Sequence, residues 1–144
     1  MNSFKKVIIS FMTAVMLFLL QSAVFASPYN EYLNGDTNFK LCDGHMGMAW
    51  YVDLSSLNVN LYNPPEYIIG INVLTVDADN NYDVKKTTTY RFKYNYTDQT
   101  MYVENTDTGI WRCLPEEGTW AQTGVVQPAG EIAFEAAYGM PFYH

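Results

Sequence analysis

Residues that carry most nucleophilic and metal chemistry are scarce in this chain, which has two cysteines and two histidines among 144 residues. The sequence contains no Gly-x-Ser-x-Gly, no His-Glu-x-x-His and no glycine-rich phosphate loop. These absences exclude the serine-hydrolase, zinc-protease and nucleotide-binding sites that a short motif would reveal. We therefore expect no cofactor.

Positive charge is also scarce, since eight Lys and Arg stand against fifteen Asp and Glu, for a formal net charge of -7. Phosphate backbones and anionic lipid headgroups repel such a surface. The composition therefore argues against nucleic acid or an anionic membrane as a partner. Basic proteins and cations are allowed.

Long apolar runs are confined to the N-terminus. Lys5 and Lys6 precede an apolar run over residues 7–20, and the small residue Ala26 stands before Ser27. This pattern predicts a secretory signal peptide, residues 1–26, cleaved after Ala26. From residue 27 on, no run approaches the ~20 apolar residues of a membrane-spanning helix. We expect the mature chain to be secreted, at the cell surface or in a periplasm, with no stable membrane insertion.

The mature chain has room for one domain. Residues 27–38 are rich in turn-forming residues and predict an irregular lead-in, followed by a single α+β domain over residues 39–144. Short aromatic, alternating or β-branched runs bounded by turn residues predict an antiparallel β-meander of about six strands. These runs are residues 49–54, 57–62, 67–76, 87–96, 100–104 and 110–114, with residues 119–126 as a last strand or extended edge.

The run 67–76 is nearly all apolar, whereas in 87–96 polar residues alternate with others that include Tyr90, Phe92 and Tyr94. Together these two runs predict a hairpin with aromatic rings on one face. A single C-terminal α-helix is predicted with Pro128 in its first turn and Gly139 at its end. Because this helix is apolar around much of its circumference, we expect it to pack on the aromatic face of the sheet.

Cys42 and Cys113 form an isolated pair in a chain predicted to be exported. Such a pair favours one structural disulfide, which would close a loop of about 70 residues and stabilise the fold by roughly 4 kcal/mol. Two alternatives use the same residues: Cys42 with His45 as nucleophile and base, or both cysteines with His45 as zinc ligands. The motif Cys-x-x-His is weak, and no second group with ligand spacing completes a zinc site.

Oxygen donors alternate along Asp77, Asp79, Asn81 and Asp83, as in the first half of a calcium loop. The sixth position of the pattern is Tyr82 instead of glycine, and the twelfth is Thr88 instead of glutamate. A hairpin turn explains the same residues, because Asp and Asn favour turns.

Twelve tyrosines and three tryptophans exceed what routine core filling suggests. Rings that stay on the surface favour protein recognition. The first function hypothesis is therefore an exported non-catalytic binding protein whose partner is an extracellular or cell-envelope protein. The alternatives are a small secreted hydrolase, with a site assembled from His45 and carboxylates, and a periplasmic inhibitor or assembly factor.

Four segments together resemble the surface-adhesin protein E-like family of small exported bacterial proteins. They are Trp50-Tyr51-Val52-Asp53, Tyr90-Arg91-Phe92-Lys93-Tyr94, Gly109-Ile110-Trp111, and Pro128-Ala129-Gly130-Glu131 ahead of Ala136-Ala137. The resemblance implies an antiparallel sheet with a C-terminal helix packed on it, a disulfide, and binding of host matrix proteins at the cell surface. Adhesin-type members tend to carry a lipid anchor on a cysteine, which this chain lacks, and no binding residue is carried over.

Overall fold

The computed structural model describes residues 27–144, which form a six-stranded antiparallel sheet and two helices. The strands follow chain order, each pairs with the next, and the sheet curls into a half-barrel. This confirms the predicted meander of about six strands and the C-terminal helix. The elements are β1 Phe39–His45, β2 Met48–Asn63, β3 Glu66–Asp77, β4 Asp83–Asn95, β5 Thr100–Glu104, β6 Trp111–Leu114, α1 Trp120–Thr123 and α2 Val126–Tyr138.

Three local predictions differ from the structure. Strand β1, Phe39–His45, is not among the predicted runs. Residues 49–54 and 57–62 form one long strand, β2, because an irregularity between Asp53 and Asn58 accommodates the intervening serines without ending the ladder. Residues 119–126 are not extended: Trp120–Thr123 form the helix α1, residues 124–125 a turn, and Val126 begins α2. Thr119 and Gln122 form a reciprocal capping box there, and this pair starts the short helix α1.

The predicted hairpin is confirmed, since β3 and β4 pair along nearly their whole length, from Glu66 opposite Asn95 to Asp77 opposite Asp83. The inner face of the sheet is defined here as the face that contacts α2. Phe92 and Tyr94 lie on it, fully buried. The Tyr94 hydroxyl donates a hydrogen bond of 2.7 Å to the Gly130 carbonyl of α2. Period-two alternation in β4 thus supplies the rings that meet the helix.

The outer face of β1–β3 has a second, smaller core. Tyr51 and Leu74, which are paired across β2 and β3, lie in it with Leu33 of the N-terminal segment. The Tyr51 hydroxyl donates to the Asn30 carbonyl at 2.8 Å. Residues 27–38, predicted to be irregular, contain a single 3₁₀ turn, Leu33–Gly35. The lead-in therefore covers part of the outer face.

The predicted Cys42–Cys113 disulfide is wrong for this structure, in which both cysteines are free thiols. They belong to β1 and β6, the two edges of the sheet. Cys42 contacts the core under α2, whereas Cys113 lies opposite Tyr102 on the outer face and is exposed. The meander separates the sulfurs because each successive strand adds one strand spacing between them.

The predicted signal peptide, residues 1–26, lies outside the described residues. Among residues 27–144, no helix has the length and apolar character needed to cross a membrane.

Candidate functional site

Side chains of β4, β5 and β6 form a mixed aromatic and cationic group on the outer face of the sheet. The alternation that turns Phe92 inward turns Arg91 and Lys93 outward. Tyr102 of β5 lies directly opposite Lys93, and Trp111 of β6 lies opposite Glu104. The aromatic–cation surface denotes this group: Arg91, Lys93, Tyr102, Glu104 and Trp111.

The loop between β5 and β6 sets the position of Trp111. The Asn105 side chain accepts hydrogen bonds from the backbone N–H groups of Asp107 and Thr108, at 3.0 and 3.2 Å. Gly109, at φ 68°, donates its N–H to the Asn105 carbonyl at 2.7 Å. Glycine adopts the left-handed backbone conformation at little cost. Residues 105–109 therefore close a turn that places Trp111 across from Glu104.

Both cations lie over aromatic rings. The Lys93 ammonium is 4.9 Å from the centre of the Tyr102 ring and 5.2 Å from that of Trp111. The Arg91 guanidinium carbon is 5.7 Å from the Trp111 ring and forms an ion pair with Glu104. Cation–π contacts of this kind contribute about 0.5–1 kcal/mol each at exposed sites. They hold both charges and both rings in defined positions.

No buried cluster of the described residues includes Tyr102 or Trp111. The N-terminal segment covers the outer face only over β1–β3, and α2 contacts the opposite face. Beyond Trp111, Ile110 is 66% exposed. All five side chains of the aromatic–cation surface are half-buried, so this part of the sheet remains partly exposed to solvent.

A cleft of about 650 Å³ adjoins this surface at the β5–β6 hairpin and the start of α2. Its volume falls in the range of small-ligand sites. Burial raises the pKa of the Tyr90 hydroxyl, and the neighbouring Cys42 adds to the rise, so Tyr90 presents a neutral donor. The lining includes Tyr90, Val103, Glu104, Ile110, Trp111, Arg112 and Val126.

His45 lies at the end of β1, away from this cleft. Its ring centre is 5.2 Å from that of Trp120, whose indole N–H donates to the Asp43 carboxylate at 2.8 Å. Within residues 27–144 no hydrogen bond or ion pair joins His45 to a carboxylate. The histidine therefore packs on a ring instead of meeting an acid that could orient it for base catalysis.

Cys42 does not have the properties of a nucleophile. Burial, reinforced by the nearby Asp43 charge, raises the pKa of its thiol to about 12. The thiol stays protonated at neutral pH and makes a long contact of 3.8 Å with the Val125 carbonyl. Cys42 and His45 therefore have different surroundings, and they do not form a nucleophile–base pair in this structure.

A smaller cleft of about 310 Å³ contains Asp43, Cys42 and Glu131. Burial raises the pKa of the Glu131 carboxyl, and a hydrogen bond from Gln127 opposes that rise. His45 is not part of its lining. The hydrolase hypothesis joined His45 to carboxylates, and this cleft brings carboxylates together without the histidine.

The acidic segment after β3 forms the β3–β4 turn. Lys85 contacts both Asp77 and Asp83, at 3.6 and 2.8 Å, and the Asn80 N–H hydrogen-bonds to Asp77. Asn81 adopts the left-handed region at φ 50°. Within the described residues no three acidic, cysteine or histidine side chains converge as a metal site. Asp77 and Asp83, two of the four predicted calcium ligands, are paired with an ammonium.

No protein-family model, curated protein or solved structure matches this chain. The resemblance to the surface-adhesin protein E-like family remains a proposal.

The sequence identified Arg91 and Lys93 only as the polar half of an alternating strand. Nothing in it predicted that Tyr102 and Trp111 would lie beside them, because strand pairing decides which outward residues become neighbours. The available signal was that alternation in strand 100–104 places Tyr102 on the same face as the polar residues Thr100 and Glu104.

Proposed function

We propose that the mature chain is a non-catalytic, adhesin-like binding protein that recognises an extracellular or cell-envelope protein through the aromatic–cation surface. The helix α2 covers the inner face of the sheet in this proposal, and the outer face of β4–β6 receives the partner. The observation that supports it is the contiguous set of two rings and two cations that no described element covers.

The chemistry of the surface favours a protein ligand. Trp, Tyr and Arg are the side chains that most often carry the binding energy of protein interfaces. Lys93 and Arg91 are already placed by their ring contacts, so less conformational entropy is lost on binding. The partner that fits presents a carboxylate next to an apolar or aromatic side chain.

The charge distribution of the mature chain also indicates which partner segments it would attract. From residue 27 on, six basic residues remain against fifteen acidic ones, so the mature chain has a formal charge of -9. Two of those six basic residues lie in the aromatic–cation surface. A partner segment with a few carboxylates would be drawn to this spot, and the surrounding negative charge would orient it.

The test is capture of partners on the immobilised mature chain from envelope and host-matrix extracts, followed by affinity measurement with the purified partner. We expect Trp111→Ala to weaken binding at least ~10-fold, as for a central aromatic anchor. Lys93→Ala should mainly slow association and reduce its dependence on salt.

Trp120→Ala is the matched control, since Trp120 is 53% exposed but contacts His45 and Asp43 at another place. It should leave affinity within ~2-fold of the unmodified chain. Equal affinity of Trp111→Ala and the unmodified chain would refute the assignment of the surface. A turnover activity without a captured partner would refute the binding function itself.

A further inference from the structure

Part of strand β2 has a free edge. β1 pairs with β2 only between Met48 and Asp53, and the Leu54 N–H hydrogen-bonds to the Asn38 carbonyl. After the irregularity that separates Asp53 from Asn58, β2 pairs again with β3 from Asn58 to Asn63. Over residues 55–63 no described strand pairs with the other side of β2. The free edge therefore comprises nine residues, 55–63, followed by Pro64, which cannot donate to a ladder.

This edge lacks the charged and proline residues that normally prevent strand addition. Residues 55–63 read Ser-Ser-Leu-Asn-Val-Asn-Leu-Tyr-Asn and contain no charged side chain and no proline. Proteins usually protect an open edge with charges, especially lysine, or with proline. Here Val59, Leu61 and Tyr62 are 41%, 37% and 67% exposed. Two irregularities, between Asp53 and Asn58 and between Val59 and Leu61, are present along this edge, and both lie within the strand itself.

We propose that this free edge pairs with the same edge of a second copy of this chain, antiparallel and about a two-fold axis at Val59. Residues 57–61, Leu-Asn-Val-Asn-Leu, read the same in both directions. In an antiparallel pair centred on Val59, each of them meets a residue of its own type. Leu57 faces Leu61 of the second copy, Asn58 faces Asn60, and Val59 faces Val59.

The position of the edge supports the same axis. Residue 59 is also the midpoint of the free segment 55–63, so the two-fold pairing uses the whole edge. Each end of the new ladder then lies where β1 stops on one copy and Pro64 begins on the other. The palindrome and the strand pairing are independent observations, and both give the same centre.

Electrostatic repulsion between two acidic chains is weakest at this uncharged edge. The acidic chain repels a second copy over most of its surface, whereas residues 55–63 bring no charge into contact. Isologous pairing of this kind closes after two copies, so it forms a dimer and not a filament. The result is one continuous sheet of twelve strands, and the aromatic–cation surface of each copy stays free.

The test is the molar mass of the mature chain by light scattering and sedimentation over a range of concentrations. We expect a concentration-dependent dimer. Val59→Lys should make the chain monomeric while its circular dichroism stays unchanged, because the substitution affects an exposed edge position. Its melting temperature should no longer depend on protein concentration. Val84→Lys is the matched control, since Val84 is 45% exposed in β4, opposite Val76 of β3 and outside residues 55–63, and this variant should remain dimeric.

Cross-linking tests the register separately. In a background with Cys113→Ser, Val59→Cys should form a disulfide-linked dimer, because residue 59 meets itself at a Cβ separation of about 4.5–5.5 Å. Asn63→Cys should not, because residue 63 faces residue 55. A monomer at all concentrations, a dimer that survives Val59→Lys, or efficient cross-linking through Asn63→Cys would each overturn the proposal.

Discussion

Cys42 shows how its position in the fold decides the chemistry of a side chain. It lies against the core under α2, where burial and the Asp43 charge raise its thiol pKa to about 12. Cys113 has the same side chain on the exposed outer edge. The reactivity of a thiol depends on its thiolate fraction and its access, so the two cysteines should behave differently.

The thiols provide a direct prediction. In the native, unreduced protein at about pH 8, an aromatic disulfide reagent should modify Cys113 rapidly and Cys42 at least ~100-fold more slowly. Unfolding should make both react, for two thiols per chain. The rates can be assigned with Cys113→Ser, which should remove the fast phase alone. If the unfolded, unreduced chain shows no reactive thiol, the two cysteines are joined and the free-thiol structure is contradicted.

At the scale of secondary-structure elements, the backbone of α2 lies close to side chains of β4 and β5 at Gly130. A β-carbon built on Gly130 would lie 2.5 Å from the Met101 sulfur and 3.0 Å from the Phe92 ring. The same glycine accepts the Tyr94 hydrogen bond. Gly130 therefore sets the distance between helix and sheet, although glycine in a helix interior costs about 1 kcal/mol.

Replacement of Gly130 tests this contact. Gly130→Ala should lower the free energy of unfolding, because overpacking costs about 1–3 kcal/mol and outweighs the gain in helix propensity. Ala136→Gly, at an exposed position of the same helix, measures the propensity effect alone and should cost about 1 kcal/mol. Denaturant unfolding of both variants gives the comparison. Stabilisation by Gly130→Ala would show that the helix does not lie this close to the sheet.

At the scale of the whole molecule, buried tyrosines link stability to alkaline pH. Burial, first among the causes, raises the pKa of Tyr51 and Tyr143 to about 12 and that of Tyr94 well above its usual value. Tyr90 and Tyr138 are also raised by burial. In the unfolded chain all of these hydroxyls ionise near 10. The folded state therefore holds protons that the unfolded state releases.

The free energy of unfolding keeps its full value below the unfolded tyrosine pKa of about 10. It falls as pH rises through 10 towards 12, because the unfolded chain then releases protons that the folded chain retains. We expect the melting temperature to fall steeply over that interval, together with a cooperative rise in tyrosinate absorbance. Tyr143→Phe should make the fall shallower without a penalty at neutral pH, because the Tyr143 hydroxyl has no hydrogen-bond partner among the described residues. Full ionisation near pH 10 with the fold intact would contradict this prediction.

Local sequence pattern was sufficient to predict the central hairpin and the C-terminal end of α2, but it did not predict β1 or the continuity of β2. The alternation in 87–96 and the apolar run 67–76 identified the central hairpin, because side chains on a strand repeat every two residues. Gly139 marked the end of α2, where it adopts φ 69° as the left-handed cap. Pattern was insufficient at residues 119–126, where a capping box, in which the side chains of Thr119 and Gln122 each bond the backbone of the other, outweighed extended propensity.

The amino-acid order by itself determined the acidic charge, the positions of the rings and the palindrome at Val59, since these are properties of composition and spacing. Only the tertiary structure decided that Cys42 and Cys113 lie on opposite edges, that Lys93 lies over Tyr102 and Trp111, and that one side of β2 has no partner strand over residues 55–63. The reason is physical: those neighbours are set by strand register and by how far β1 extends along β2, and register depends on contacts between residues far apart in the chain.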